Sequence, residues 1–326
     1  MRDVGLVGLP YSGKSTLFTA LSHHGAEAGR PNRAVVPVPD PRLEVVAALE
    51  RSRSIVPAQL RFLDEPGGTA NPQAIAALRE VDALCVVLRA FGPDADPVRD
   101  LRDVTAELLL ADLAVVESAL EKARRRARGG RSPAAEVEAL EHAAGALAAE
   151  VPLRRADLDE PAHGHLRSLG PLTLKPWVVV ANLGEGAPLP EELPGDAVGV
   201  HAELEAEAAD LPEHEARALL EGFGIHERAS DVVIRAVCEA LGLVTFFTAN
   251  DEAHAWQVPR GTRAPRAAGA IHSDMERGFI RAEVISYEDL VEAGGWDAAK
   301  HRGLLRVEGK EYEVRDGDVL HVRFAV

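Results

Sequence analysis

Apolar positions first gather in an unbroken run at residues 4–7, which reads as a strand buried on both faces. From Lys14–Ser22 the spacing becomes helical, with Leu17, Phe18 and Leu21 on the inward side. Apolar runs at 60–63, 83–88 and 177–181 predict further strands, and the last leads directly into Asn182–Leu183–Gly184–Glu185. Strands separated by helix-period stretches predict an α/β protein.

A long helical pattern interrupts this alternation. From residue 101 onward Val104, Leu108, Ala111, Val115 and Ser118 recur at spacings of three and four, with Glu107, Glu117, Glu121 and Lys122 around them. Gly129 and Gly130 end the helix. Ser132 and Pro133 supply an N-cap and a first-turn proline for a second helix bearing Val137, Leu140, Ala144 and Leu147. The pattern predicts a helical hairpin over 99–169, inserted between a first segment, 1–98, and a second, 170–242. Residues 243–326 change character again, with strands at 244–248, 311–314 and 319–324, a helix at Tyr287–Ala293, and a turn at Asp316–Gly317–Asp318. Mixed strands around one helix predict a small β-grasp-like module. Its His272 and Asp274 read as a structural polar pair, and Trp256 and Trp296 as packing residues.

Composition changes the picture little. The 326 residues are 46% hydrophobic and 27% charged, a globular balance. A net charge of -16 excludes a uniformly basic nucleic-acid coat and leaves only local basic patches for such contacts. Cys85 and Cys238 fall in apolar or helical runs outside metal-ligand spacings, so both read as buried thiols. The chain enters its first strand without a leader, and no stretch offers the ~20 apolar residues of a membrane span. The expected location is cytoplasmic.

The chemistry lies between the first strand and the first helix. Residues 8–16 read GLPYSGKST, a phosphate-binding loop in its strand-to-helix setting. Gly8, Tyr11, Ser12, Gly13 and Thr16 frame a backbone that wraps phosphates at a helix N-terminus. Lys14 is placed to reach β and γ oxygens, and Ser15 to ligate magnesium. Asp64, at the end of the 60–63 run, opens D-E-P-G, where its carboxylate suits a metal-bound water and the Gly67 amide a γ-phosphate. Asn182, Leu183 and Glu185 occupy the turn where guanine-binding domains carry N-K-x-D; the missing lysine and longer acid leave ATP and GTP both open. The basic run with Arg124, Arg125, Arg126 and Arg128 reads either as an RNA-phosphate contact or as a solvated helix end complementing its dipole.

With these motifs in order, the whole chain resembles the Obg-like ATPases, the YchF family of Obg-related P-loop NTPases. The resemblance is carried by GLPYSGKSTLFTALS at the start, VVPVPDPRL from Val35, TAELLLADL from Thr105 and LTLKPWVVVANLGE from Leu172. FFTANDEAHAW from Phe246, VPRGTRAPRAAGAIHSDMERGFIRAEVISYEDL from Val258 and EGKEYEVRDGDVLHVRF from Glu308 extend it. It implies a P-loop NTPase domain, a coiled-coil arm, a C-terminal TGS domain, use of ATP, and association with the ribosome. Two departures stand out. The first switch is reduced to HHGAEAGR at 23–30 and lacks a sensor threonine, and the second, ending at Arg79, is compressed. The family's catalytic histidine has no counterpart in 91–103, where Pro93, Asp94, Asp96 and Arg99 stand instead; His23 and His24 are expected to point away from the phosphates. The expected function is therefore a slow ATP- or GTP-hydrolysing regulator, with a nucleotide-binding scaffold of little turnover as the alternative.

Overall fold

The apolar runs form the middle of a sheet, where burial on both faces removes any need for polar alternation. The computed structural model describes residues 1–22, 26–27, 30–128, 134–209 and 211–325. Its strands are β1 (Arg2–Val7), β2 (Asn32–Pro37), β3 (Ser54–Val56), β4 (Gln59–Asp64), β5 (Ala83–Ala90), β6 (Trp177–Leu183), β7 (Val198–Val200), β8 (Leu243–Ala249), β9 (Glu252–Pro259), β10 (Phe279–Ser286), β11 (Arg306–Glu308) and β12 (Asp318–Phe324). Its helices are α1 (Lys14–Ser22), α2 (Pro41–Glu50), α3 (Pro72–Glu80), α4 (Pro97–Arg128), α5 (Ala134–Ala148), α6 (Glu160–Arg167), α7 (Ala202–Ala209), α8 (Glu213–Gly222), α9 (Ala229–Ala240), α10 (Ala264–Ile271), α11 (Ser273–Arg277), α12 (Tyr287–Ala293) and α13 (Trp296–His301). His23, His24, Gly129, Gly130, Arg131, Ser132 and Pro133 lie outside the described residues.

Two compact units result, one built from Arg2–Val36 and Arg61–Val237, the other from Pro37–Leu60 and Cys238–Val326 with Met1. The first holds a sheet of order β2-β4-β1-β5-β6-β7 in which β1, β5, β6 and β7 run parallel. Val86, Leu88, Val104, Leu108 and Ala181 are fully buried in its core.

Helix α4 serves two cores, which is why its apolar stripe differs from the expected one. Val104 and Leu108 pack against the sheet, whereas Leu109, Val116, Leu120 and Ala123 join Leu140, Ala143 and Leu147 of α5 and Leu166 of α6. The buried face therefore rotates after Leu108: Ala111 and Val115 are only half-buried and Ser118 is exposed. The Arg run fastens the hairpin: Arg124 meets Glu141 and Arg126 meets Glu136 across α4 and α5, each at 2.7 Å, while Arg125 meets Glu121 one turn back at 3.3 Å. Arg128 is exposed.

Where α4 changes cores it buries a carboxylate. Asp112, 0% exposed, accepts from Arg79 Nη1 at 2.8 Å, Leu172 N at 2.9 Å, Thr173 N at 2.7 Å and Thr173 Oγ1 at 2.8 Å. Arg79 also donates to the carbonyls of Ala111 and Gly170. A buried charge is tolerable only with such complete partnering.

The second unit carries a mixed sheet of order β11-β10-β12-β8-β9-β3. β12 is antiparallel to β10 and parallel to β8, and β8 is antiparallel to β9. Two expectations change here. Residues 311–314 make only an isolated bridge, Glu313 to Arg263, where the short turn at 262–264 offers two backbone bonds, Ala264 N to the Tyr312 carbonyl and Val314 N to the Thr262 carbonyl; the additional strand is β11, paired to β10. Residues 37–60, read as part of the nucleotide-binding portion, cluster instead with the C-terminal unit, where β3 pairs with β9. His272 accepts from the Asp274 amide and caps α11, and Trp296 is buried against His321. Burial pushes the Cys85 thiol up to about 12. Among the described residues no helix is long and apolar enough to cross a membrane.

Replacing Asp112 with Ala leaves Arg79, Thr173 and two backbone amides facing each other without their acceptor. Urea unfolding of Asp112→Ala is expected to show a loss of ~3–5 kcal/mol; a loss below ~1 kcal/mol would contradict this account of the α4 anchor.

Candidate functional site

The turn between β1 and α1 is shaped by close backbone approach. A Cβ at Gly8 would sit 2.3 Å from the Val87 carbonyl oxygen, so only glycine lets the turn lie against β5. Gly13 has φ +89° and a Cβ there would fall 2.1 Å from Asn182 Nδ2. Tyr11 adopts φ 65° with its side chain 89% exposed, a left-handed geometry that a non-glycine residue adopts only at a cost.

Lys14 Nζ donates to the carbonyls of Gly8 and Leu9, both at 2.8 Å. Burial lowers the pKa of its ammonium, opposed by the charges of Asp64 and Glu107. Ser15 Oγ donates to Asp64 Oδ2 at 2.7 Å, joining the start of α1 to the end of β4. After Asp64, Gly67 and Gly68 take φ 84° and 54° and turn the chain toward α3. Gly8, Lys14, Ser15, Asp64 and Gly67 line one cavity of about 460 Å³.

The other site residues read from the sequence lie around rather than in this cavity. Ser12 is buried, its hydroxyl has no hydrogen-bond partner among the described residues, and its carbonyl accepts from Asn182 Nδ2 at 3.3 Å. Asn182 Oδ1 in turn accepts from Ala202 N at 3.2 Å, so the amide braces the loop against the start of α7. Leu183 is half-buried, Glu185 is exposed, and Thr16 is half-buried in the first turn of α1.

Several cavity residues went unread. Glu27, Arg30 and Asn32 enter from the short segment after α1, and Thr69 and Glu107 close the opposite side. Thr69 Oγ1 donates to Glu107 Oε2. The available signal was the helical spacing itself: with Val104 and Leu108 inward, Glu107 lies on the flank of the stripe beside the sheet. Clefts of about 730 and 950 Å³ beside α4 are larger, but their walls lack the convergence of loop glycines, lysine, hydroxyl and carboxylate found here.

The donor set fits magnesium. A hydroxyl and a carboxylate at hydrogen-bond distance supply hard oxygen ligands, and Mg²⁺ ordinarily takes only one or two from protein, completing its shell with phosphate and water. Among the described residues no group of three or more His, Cys, Asp or Glu is placed to hold a metal without such help.

Over 362 aligned residues the chain is 38% identical to the ribosome-binding ATPase YchF of Bacillus subtilis strain 168, covering 99% of each. The chain belongs to the YchF family. The YchF protein of Haemophilus influenzae, also named a ribosome-binding ATPase, is 39% identical over 99% of each chain. Residues 243–325 match the family model YchF-GTPase_C, described as a protein of unknown function (DUF933). The structure of the Schizosaccharomyces pombe YchF GTPase superposes with a TM-score of 0.84 at 27% identity, covering 99% of this chain and 97% of that one. A GTP-binding protein of Pyrococcus horikoshii, 19% identical with a TM-score of 0.63, shares the fold. An alignment of 362 positions for a chain of 326 residues also means that positions present in the B. subtilis YchF are missing here.

Asn182→Ala would free the Ser12 carbonyl and the Ala202 amide together. It is expected to cost ~1–3 kcal/mol in thermal unfolding and to weaken triphosphate binding by loosening the loop; unchanged stability and affinity would show that the brace is dispensable.

Proposed function

We propose that this YchF protein is a ribosome-associated, nucleotide-dependent regulator that binds ATP or GTP with Mg²⁺ and hydrolyses it slowly. The observation carrying this reading is the Ser15–Asp64 contact of 2.7 Å inside the cavity that also holds Lys14 and the Gly67 turn. Ribosome binding and ATPase activity are the named properties of the bacterial relatives that match over the full chain, and they support a cytoplasmic setting.

In this reading the amides of residues 8–16, with Gly13 and Thr16 at the head of α1, wrap the phosphates, and the helix N-terminus favours their charge. Lys14 exchanges its two carbonyl partners for β and γ oxygens. Ser15 would hold the magnesium directly and Asp64 through water, and the ion would supply charge neutralisation at the phosphate oxygens. The Gly67 amide faces the γ-phosphate. Tyr11 and the turn of Asn182, Leu183 and Glu185 border the base, and the N-x-x-E pattern there leaves ATP as well as GTP admissible. The hairpin within 99–169 corresponds to the family's coiled-coil arm and 243–326 to its TGS domain, with 1–98 and 170–242 as the P-loop NTPase domain. Arm residues Arg124, Arg125, Arg126 and Arg128, together with the TGS domain, are assigned to ribosomal RNA contact. Exposed ion pairs such as Arg124–Glu141 and Arg125–Glu121 are weak enough to exchange for phosphate.

A nucleotide-binding scaffold with little turnover is the second reading, favoured by the missing histidine in 91–103. Titrating ATP and GTP against the protein, with hydrolysis followed with and without ribosomes, separates the two. Weak turnover is expected that falls to background in Lys14→Ala; wild-type turnover equal to that control removes the enzymatic part. Neutralising the four arginines is expected to reduce ribosome co-sedimentation, and unchanged co-sedimentation would sink the arm contact.

A further inference from the structure

Four acids line the phosphate cavity, and their partners differ. Glu27 meets Arg30 at 2.9 Å, Glu65 meets Arg33 at 3.8 Å, and Asp64 is engaged by Ser15 at the metal position. Glu107 alone among them has neither an arginine at ion-pair distance nor a metal-directed partner among the described residues; it accepts from the neutral Thr69 hydroxyl. That hydroxyl spends its single proton on one carboxylate oxygen, so Glu107 keeps further acceptor lone pairs. Both residues line the same cavity as Lys14, Ser15, Asp64 and Gly67, and Thr69 follows Gly67 by two residues. Glu107 is itself exposed on a long helix whose neighbours Val104 and Leu108 are fully buried, so its backbone is fixed while its carboxylate is accessible.

We infer that Glu107 is the catalytic residue that orients the attacking water, and that Thr69 is a positioning residue holding its carboxylate. This rests on the proposed hydrolysis. The water oxygen bonds to the γ-phosphorus as the bond from phosphorus to the β–γ bridging oxygen breaks. The electron pair remains on the departing nucleoside diphosphate, and the water proton passes to the Glu107 carboxylate and then to solvent. Thus the α4 helix, which also forms the hairpin, supplies the acceptor that the 91–103 loop lacks.

The full chain, Glu107→Gln, Thr69→Val, the double variant and Lys14→Ala are compared for ATP and GTP turnover and for mant-nucleotide affinity. Glu107→Gln is expected to lower kcat by ~10-fold or more with KM and affinity unchanged, and to melt within about 2 °C of wild type because the residue is exposed. Thr69→Val is expected to lower kcat by roughly 3-fold, with no further loss when added to Glu107→Gln, since it acts through that carboxylate. Glu107→Gln turnover within about twofold of wild type, or an affinity loss matching the kcat loss, overturns the inference while leaving hydrolysis standing. Wild-type turnover equal to Lys14→Ala overturns both.

Discussion

The buried carboxylate of Asp112 is the constraint on which the arrangement around the cavity of Lys14, Ser15 and Asp64 depends. It is reached by a side chain from the end of α3, by two amides and a hydroxyl from the approach to β6, and it sits on α4 itself. Those four bonds set both the depth and the rotation of α4. Once the rotation is set, Val104 and Leu108 must face the sheet and Glu107 must lie beside them at the cavity, while Val116 and Leu120 are carried round to α5. A hydrophobic residue at 112 would add burial but would leave Arg79 and the two amides unsatisfied, so the polar anchor buys orientation more than stability.

The same logic explains how the loop between β1 and α1 is held. Gly8 touches the Val87 carbonyl and Gly13 touches Asn182, so β5 and the end of β6 act as a fixed wall behind the loop. Asn182 closes the circuit to Ala202. The left-handed backbone at Tyr11 is followed directly by Ser12, whose amide donates to the Leu9 carbonyl and whose carbonyl accepts from Asn182. A loop so braced presents its amides without having to reorganise, which is the property a phosphate site needs.

Much of this was legible in the sequence, for identifiable reasons. Strands buried on both faces write themselves as continuous apolar runs, so the cores of β1, β4, β5 and β6 were found, and α1 was bounded correctly by its spacing. The rotation of the α4 stripe was not legible, because periodicity marks a buried face without saying that the surface it meets changes halfway along. Nor was β3 assignable to the second sheet: Ser-Ile-Val at 54–56 has no signal for a partner nearly two hundred residues away, Ser54 aligning with Glu252. The alternation at 311–314 was a false strand, since its only backbone partner is the short turn at 262–264, which sustains one bridge rather than a ladder.

The site divides along the same line. A glycine-and-lysine loop is readable because its backbone chemistry is local, and Asp64 is readable because it ends a strand. Glu107 is not, since an acid on the polar flank of a helix looks like every other solvated acid until the fold shows what faces it. Among the four acids of the cavity, two are paired with arginines and one is committed to Ser15, and the remaining carboxylate is mounted on the helix that Asp112 anchors. A group that must hold a water in line with a phosphorus atom gains from that mounting, because misplacement by an ångström costs on the order of a hundredfold in rate. The acceptor proposed above therefore lies on a helix anchored through Asp112 rather than on a loop that would have to close.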